Sequence, residues 1–374
     1  MISCDHYFLQ QEEDTSPGVA PWWKMNDGRR IPSLGLGTWL GFTNKQEVQE
    51  AVEAAIDAGY RHIDTAFIYD TETYVGEAIR NKIAQGVVKR SDLFITTKLW
   101  NDRHRKEAVV PALKSSLRRL NLSYVDMYLV HWPVGVTVSL IKSMFLTSIF
   151  PKNAAAVLLI NHYLGVKKQC RSPQPEGVFD NTDYLDTWAG MRDARDRLLT
   201  RSIGVSNFSQ RQLERLCAFN PVTPAVLQVE INFNLQQPDL LRYCRSQNIV
   251  VTGYTPFGSL FHSKASADAP RPRSNERRLV ELSYKYKKTV PQIALRYLWE
   301  MGVIPIPKSV RSQRIQQNIN IFDFHLTKHE REVLKLYDKN YRVIPALQWV
   351  SSPHYPFETM PNHRVLGRLM SLAS

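Results

Sequence analysis

From Ile31 onward, short β-branched runs alternate with amphipathic stretches. The runs are LGLGTW (34–39), HIDTAF (62–67), LFITTKL (93–99), DMYLVHW (126–132), SIGVSN (202–207), AVLQVEI (225–231), IVVTGYT (249–255) and VIPIPK (303–308). Between most of them the period lengthens to that of a helix, as in NKQEVQEAVEAAIDAG (44–59) and PALKSSLRRL (111–120). Strands that are apolar nearly throughout, rather than alternating with polar residues, belong to a parallel sheet covered on both faces. Eight such units close naturally into a barrel. The rival is an open doubly wound sheet, which would carry a GxGxxG turn after its first strand, and GLGTW (35–39) lacks that spacing. The predicted fold class is therefore α/β, a single-domain (β/α)₈ TIM barrel.

Composition leaves that picture intact and narrows the setting. The chain has 374 residues, 43% of them hydrophobic and 22% charged, which suits one large globular domain with additions. The net charge of +13 comes from scattered Lys and Arg, as in RSIGVSNFSQRQLERL. No basic module interleaved with aromatics occurs, so no nucleic-acid partner is expected. Cys4, Cys170, Cys217 and Cys244 form no CxxC pair and read as free thiols in a reducing compartment. Residues 1–24 contain Glu12, Glu13 and Asp14 and no apolar core of signal-peptide length, so a cytoplasmic location is expected.

In a barrel of this kind, reactive side chains sit at the C-terminal ends of the strands. Asp64 falls at the end of the second run, Tyr69 just beyond it, Lys98 at the end of the third and His131 at the end of the fourth. Reducing a carbonyl requires a hydride donor and a proton for the developing alkoxide. Tyrosine is a weak acid at its ordinary pKa of about 10. A neighbouring ammonium lowers that value, an aspartate holds the lysine, and a histidine can donate to the substrate oxygen. Lys98 is accordingly expected to pull the Tyr69 pKa down. There is no HxH or HExxH, and His62 with Asp64 is a thin ligand set, so no metal is expected and the hydride donor is an organic cofactor. Taken singly, Lys98 or Tyr69 reads as a surface or structural residue, and His131 as a satisfied core histidine. Their joint position at consecutive strand ends favours the chemical reading.

These residues lie inside motifs that occur in order: GLGTW (35–39), GYRHIDTAFIYDTETYVG (59–76), TTKLW (96–100), LVHWP (129–133), IGVSNF (203–208), LQVEIN (227–232), YTPFGS (254–259) and IPKSV (306–310). With them the chain resembles the aldo-keto reductase family over about 25–134 and 178–360. The resemblance implies NADPH-dependent reduction of aldehydes or ketones, a small-molecule carbonyl substrate, and a monomer, the family's commonest form. It makes Tyr69 the proton donor, tuned by Lys98 and Asp64, with His131 orienting the carbonyl. It assigns Thr38, Trp39, Ser206, Asn207, Gln228, Tyr254, Thr255 and Ser259 to the cofactor site, where Ser206, Asn207 and Gln228 would hold the nicotinamide carboxamide and Tyr254 would stack on its ring. A non-catalytic NADP(H)-binding barrel, acting as a sensor or partner subunit, is the alternative.

The run IPKSVRSQRIQQN (306–318) opens a helix, and Lys308, Ser309 and Arg314 near a helix N-terminus make a phosphate site. With Asn318 this resembles the family's grip on the adenosine 2′-phosphate, favouring NADPH over NADH. Arg311 reads better as part of a solvated basic helix. The chain departs from the family pattern at Gln317, often glutamate there, and at Leu227, usually asparagine, whose loss would remove a polar contact near the carboxamide. Trp39, Trp100 and Trp132 follow strand ends and read either as an apolar substrate pocket or as core filler.

Between His131 and Trp188 the family has a short polar connection, whereas this chain carries VTVSLIKSMFLTSIFPKNAAAVLLINHYLGVKKQ (136–169). A membrane anchor is one reading, but Lys142, Pro151, Lys152 and Asn153 divide the run into halves shorter than the ~18 residues that span a bilayer. An apolar lid over the site is a second. Translated intron sequence is the favoured third, because the composition matches neither flank and MNDGRRIP from Met25 resembles the usual family start. The expected organisation is thus a disordered extension (1–24), a barrel (25–360) interrupted at about 136–169, and a tail (361–374). The form carrying 136–169 is expected to be less stable and less active than one lacking it.

Overall fold

Every one of the eight predicted runs contains a strand in the computed structural model, which describes residues 20–39, 45–137, 179–261 and 269–357. A hairpin comes first, β1 (Trp22–Lys24) pairing antiparallel with β2 (Arg30–Pro32). The barrel strands are β3 (Leu36–Gly37), β4 (His62–Asp64), β5 (Phe94–Leu99), β6 (Val125–Val130), β9 (Thr200–Ser206), β10 (Val226–Glu230), β11 (Val250–Tyr254) and β12 (Val303–Pro305). They pair in chain order, all parallel, from β3 to β12. Main-chain hydrogen bonds from Gly35 to Pro305 (3.1 Å) and from Gly37 to Pro307 (3.0 Å) carry the first strand onto the last. That seam needs glycine, since a Cβ on Gly37 would stand 2.9 Å from the Ile306 carbonyl oxygen.

Outside the sheet lie α1 (Gln46–Asp57), α2 (Glu72–Ala84), α3 (Lys106–Leu120), α4 (Tyr184–Asp196), α5 (Gln210–Phe219), α6 (Pro238–Ser246), α7 (Arg277–Tyr286), α8 (Val290–Glu300), α9 (Ser312–Ile319) and α10 (Lys328–Lys335). The helix expected from Pro111 starts earlier, at Lys106, with the proline exposed inside it. Strand alternation sends Ile95, Tyr128, Val205, Leu227 and Val251 outward into the main core with the helices. Phe94, Met127, Leu129, Val226 and Ile304 instead meet Trp23, Met25 and Ile31 of the hairpin in a second cluster. The hairpin therefore plugs the N-terminal floor of the barrel. Residues 22–24 belong to the fold, ahead of the boundary expected at residue 25, because Trp23 supplies apolar area the floor needs.

After His131 the chain forms β7 (Gly135–Val136), which pairs antiparallel with β8 (Phe179–Asp180). Val136 thus sits in the fold rather than in the insertion assigned from 136. The insertion from residue 138 on, the extension before residue 20 and the tail at 361–374 lie outside the described residues. Among the described residues, no helix is long and apolar enough to cross a membrane.

Candidate active site

Each strand end on one side of the barrel delivers a polar side chain. Asp64 closes β4, and a single 3₁₀ turn over Phe67–Tyr69 brings Tyr69 back above it. Lys98 comes from β5, and His131 follows β6, its N–H continuing the ladder to Leu99 O at 3.1 Å. The Lys98 ammonium, fully buried, donates to Asp64 Oδ1 (2.5 Å), to Thr65 O (2.9 Å) and, at 3.4 Å, to the Tyr69 hydroxyl. The Tyr69 and His131 rings stand edge to face with centroids 5.7 Å apart.

Residues assigned to a cofactor are wired into the same cluster. Gln228 Nε2 donates to Asp64 Oδ2 at 2.8 Å, so each oxygen of that buried carboxylate has a donor. Thr38 Oγ1 donates to Asp64 O at 3.0 Å. Asn207, in the left-handed region at φ +62°, donates to His131 O (2.9 Å) and Ser206 Oγ (3.1 Å) and accepts from the Tyr254 hydroxyl (2.8 Å). Thr255 also adopts a positive φ, at the turn that follows β11. Ser259 is different, because its hydroxyl is engaged by Asn234 Oδ1 (2.6 Å), from the loop after β10, and by Pro270 O (3.1 Å). Leu227 removes no polar contact from the site: its side chain points away from Gln228, into the helix-facing core.

Burial sets the electrostatics. It depresses the Lys98 pKa, with Asp64 opposing, and holds His131 well below its ordinary value, with Lys98 adding to the effect. Tyr69 goes the other way from the expected lowering. Burial and then the Asp64 charge push its hydroxyl well above the usual value. Lys98 does not reverse this because its charge is already engaged at 2.5 Å by Asp64.

Of the indoles, two are core and one stands at the surface. Trp100 and Trp132 are buried with Trp349, whose ring lies 4.8 Å from Trp132 and 6.0 Å from Trp100. Trp100 also stands edge-on to His131 at 5.2 Å, while Trp39, half-exposed, lies 5.1 Å from Tyr69. Sequence reasoning missed Trp349 as the partner that packs on both of these indoles. It also missed Glu72, buried behind Lys98 and accepting from Thr97 Oγ1 (2.6 Å) and Arg119 Nε (2.7 Å). The signal for Glu72 was present, since it lies in the same motif as Asp64 and Tyr69.

The residues expected to hold a phosphate lie beside the first barrel strand. Lys308 and Ser309 come after β12, close to Gly37 and Thr38. Ser309 Oγ accepts from Arg311 N at 3.1 Å just before α9 begins, while Arg314 is exposed on that helix and Asn318 is buried.

This barrel and rim are those of a known family. A match described as "Aldo/keto reductase family" spans residues 33–336, and the chain belongs to that family. The aldo-keto reductase AKR2E4 of Bombyx mori is 43% identical over 341 residues, which is 90% of this chain and 98% of that protein. Its crystal structure in complex with NADP aligns with a TM-score of 0.79, covering 91% of this chain and 99% of that one. The Bombyx mori enzyme AKR2E5, solved with NADPH, is 38% identical with a TM-score of 0.80, covering 92% and 95%. The aldose reductase of Schistosoma japonicum is 34% identical with a TM-score of 0.75, covering 91% and 99%.

Proposed function

We propose that the protein reduces aldehydes and ketones to alcohols with NADPH, Tyr69 giving the proton and Lys98, Asp64 and His131 setting the site around it. The observation that carries this reading is the buried cluster in which Lys98 meets both Asp64 and the Tyr69 hydroxyl beside the His131 ring. The bound nicotinamide supplies the hydride. A raised Tyr69 pKa keeps the phenol protonated at neutral pH, ready to donate to an alkoxide, a far stronger base. Lys98 stabilises the phenolate left behind, and Asp64 with Gln228 keeps Lys98 in place.

The depressed His131 pKa means a neutral imidazole. Its Nδ1 is buried with no partner among the described residues. A bare lone pair there costs less than an unpaired N–H, so the proton belongs on Nε2, which is then a donor for a substrate carbonyl. Ser206, Asn207 and Gln228 offer amide and hydroxyl groups for a carboxamide, Tyr254 offers a ring face, and Thr38 and Trp39 flank them. Lys308, Ser309, Arg314 and Asn318 supply the cationic and polar groups that suit a ribose phosphate. Support for NADPH comes also from the two Bombyx mori relatives solved with NADP and NADPH. The free Cys217 and Cys244 suit the cytoplasm, where we place the protein as a monomer.

Oxidation of NADPH with a generic aldehyde tests the reading. Turnover should fall by about 10²–10⁴-fold or more in Tyr69→Phe, with NADPH affinity retained by fluorescence titration. A wild-type protein that binds NADPH and turns over no carbonyl would instead be a sensor.

A further inference from the structure

A cavity of about 250 Å³ lies between the barrel wall and α3, lined by Phe67, Lys98, Trp100, Arg103, Ala112 and Tyr128 among others. Its lining is mostly aromatic and aliphatic, with Ser115 and Ser116, whose hydroxyls accept from Arg119, with Lys98, whose ammonium is engaged by Asp64, with Arg103 and, among the described residues, no carboxylate. The volume exceeds the roughly 150 Å³ in which an apolar protein cavity holds one benzene ring. It stops short of the ~300 Å³ at which drug-sized pockets begin. One ring with a short substituent fits.

Two groups tell what that substituent is. Tyr128 is only 1% exposed, faces outward from β6 towards α3, and its hydroxyl makes no hydrogen bond to any described residue. The phenol lines the cavity, so its hydroxyl is available to an occupant. Arg103 stands at the exposed edge, and the acid it meets there is Asp102, at a loose 3.4 Å. Its guanidinium keeps donors for a planar oxyanion, the shape its fork matches best.

We propose that this cavity is a binding site for a small aromatic carboxylate, its ring among Phe67, Trp100 and Tyr128 and its anionic end on Arg103, separate from the carbonyl-reducing centre. Trp100 is the shared wall: one side borders the cavity, and the ring stands 5.2 Å from His131. An occupant presses on Trp100 and Lys98 from behind, so it changes kcat rather than competing with the carbonyl. This last consequence rests on the proposed function, whereas binding itself does not.

The test uses the full-length protein loaded with NADPH and 4-fluorobenzoate as probe, followed by fluorine NMR. Binding is expected in the wild type and in Tyr69→Phe, undiminished by a saturating aldehyde. Ala112→Trp should abolish it by filling the space, and Arg103→Ala should weaken it at least about tenfold by removing a charged donor. NADPH affinity and thermal melting check that each variant is folded, and the exposed Arg103 keeps the question answerable if Ala112→Trp does not fold. The probe should lower or raise kcat without raising the KM of the aldehyde, an effect absent in Ala112→Trp. Displacement by the aldehyde with unchanged binding to both cavity variants would put the probe in the carbonyl pocket and overturn the site. No binding at millimolar probe would overturn it as well. Binding as expected with unchanged turnover would overturn only the link to catalysis.

Discussion

The two ends of this barrel are built from opposite materials. The floor is carbon: Trp23, Met25 and Ile31 of the hairpin pack on Phe94, Met127, Leu129 and Ile304. The rim buries an ammonium, a carboxylate, an imidazole and several amides, each drawn from a different strand or turn. Floor contacts are non-directional and tolerate adjustment, whereas each rim group is held by a donor or acceptor from another segment. The difference shows where the fold gains stability and where it spends some on chemistry.

The sharpest way to break that contrast is Lys98→Met. It leaves Asp64 Oδ1 without its 2.5 Å partner, and removing one member of a buried pair costs about 3–5 kcal/mol. Both denaturant midpoint and turnover should collapse; a variant with unaltered stability would show that the pair is not buried in solution. Trp23→Ala should cost a similar ~3–5 kcal/mol of stability, but kcat measured below its melting point should stay at the wild-type value. A matching loss of kcat would mean the floor is coupled to the rim.

A third test concerns the segment after β7. Val136 pairs with Phe179, so the two chain ends are already neighbours. Replacing residues 137–178 by a two-residue Asn-Gly loop should stabilise the protein by roughly 2–3 kcal/mol of loop-closure entropy and raise turnover. Equal melting temperatures and equal kcat in the two forms would refute it. So would lower values in the shortened form.

The smallest effect of a single substitution is read from a pH slope that three buried histidines share. Burial lowers His62, inside the barrel below Asp64, and His104 to about 4, and His131 well below its ordinary value. The unfolded chain takes up these protons near pH 6.5 and the folded one does not. Stability is therefore fully present above about pH 6.5 and falls as pH drops toward 4, by up to ~1.4 kcal/mol per pH unit for each histidine. Urea melts between pH 7 and 5 read this slope, and His104→Asn should make it shallower by one proton. An unchanged slope would mean that His104 is charged in the folded state.

Much of the site was legible because barrel chemistry follows chain order. Asp64, Lys98 and His131 end consecutive predicted strands, and parallel pairing in order brings consecutive ends together. The hairpin was not legible, since WWK and RIP carry too few residues for a periodic signal. The polar contact expected to be lost at Leu227 was never in reach of the site, because adjacent strand residues face opposite sides of the sheet and Gln228 takes the inner one.

Sequence alone determined the eight barrel strands, the order of the rim residues and the family, since each is written in local periodicity and motif. Tertiary structure decided what those residues experience. Tyr69 carries a raised rather than a lowered pKa because it is buried and faces the Asp64 charge. Trp349 joins Trp100 and Trp132 across more than two hundred residues of chain. The space behind Trp100 exists only where α3 fails to fill the gap against β6. Distances and burial of this kind depend on packing between segments far apart in the chain, and no local pattern encodes them.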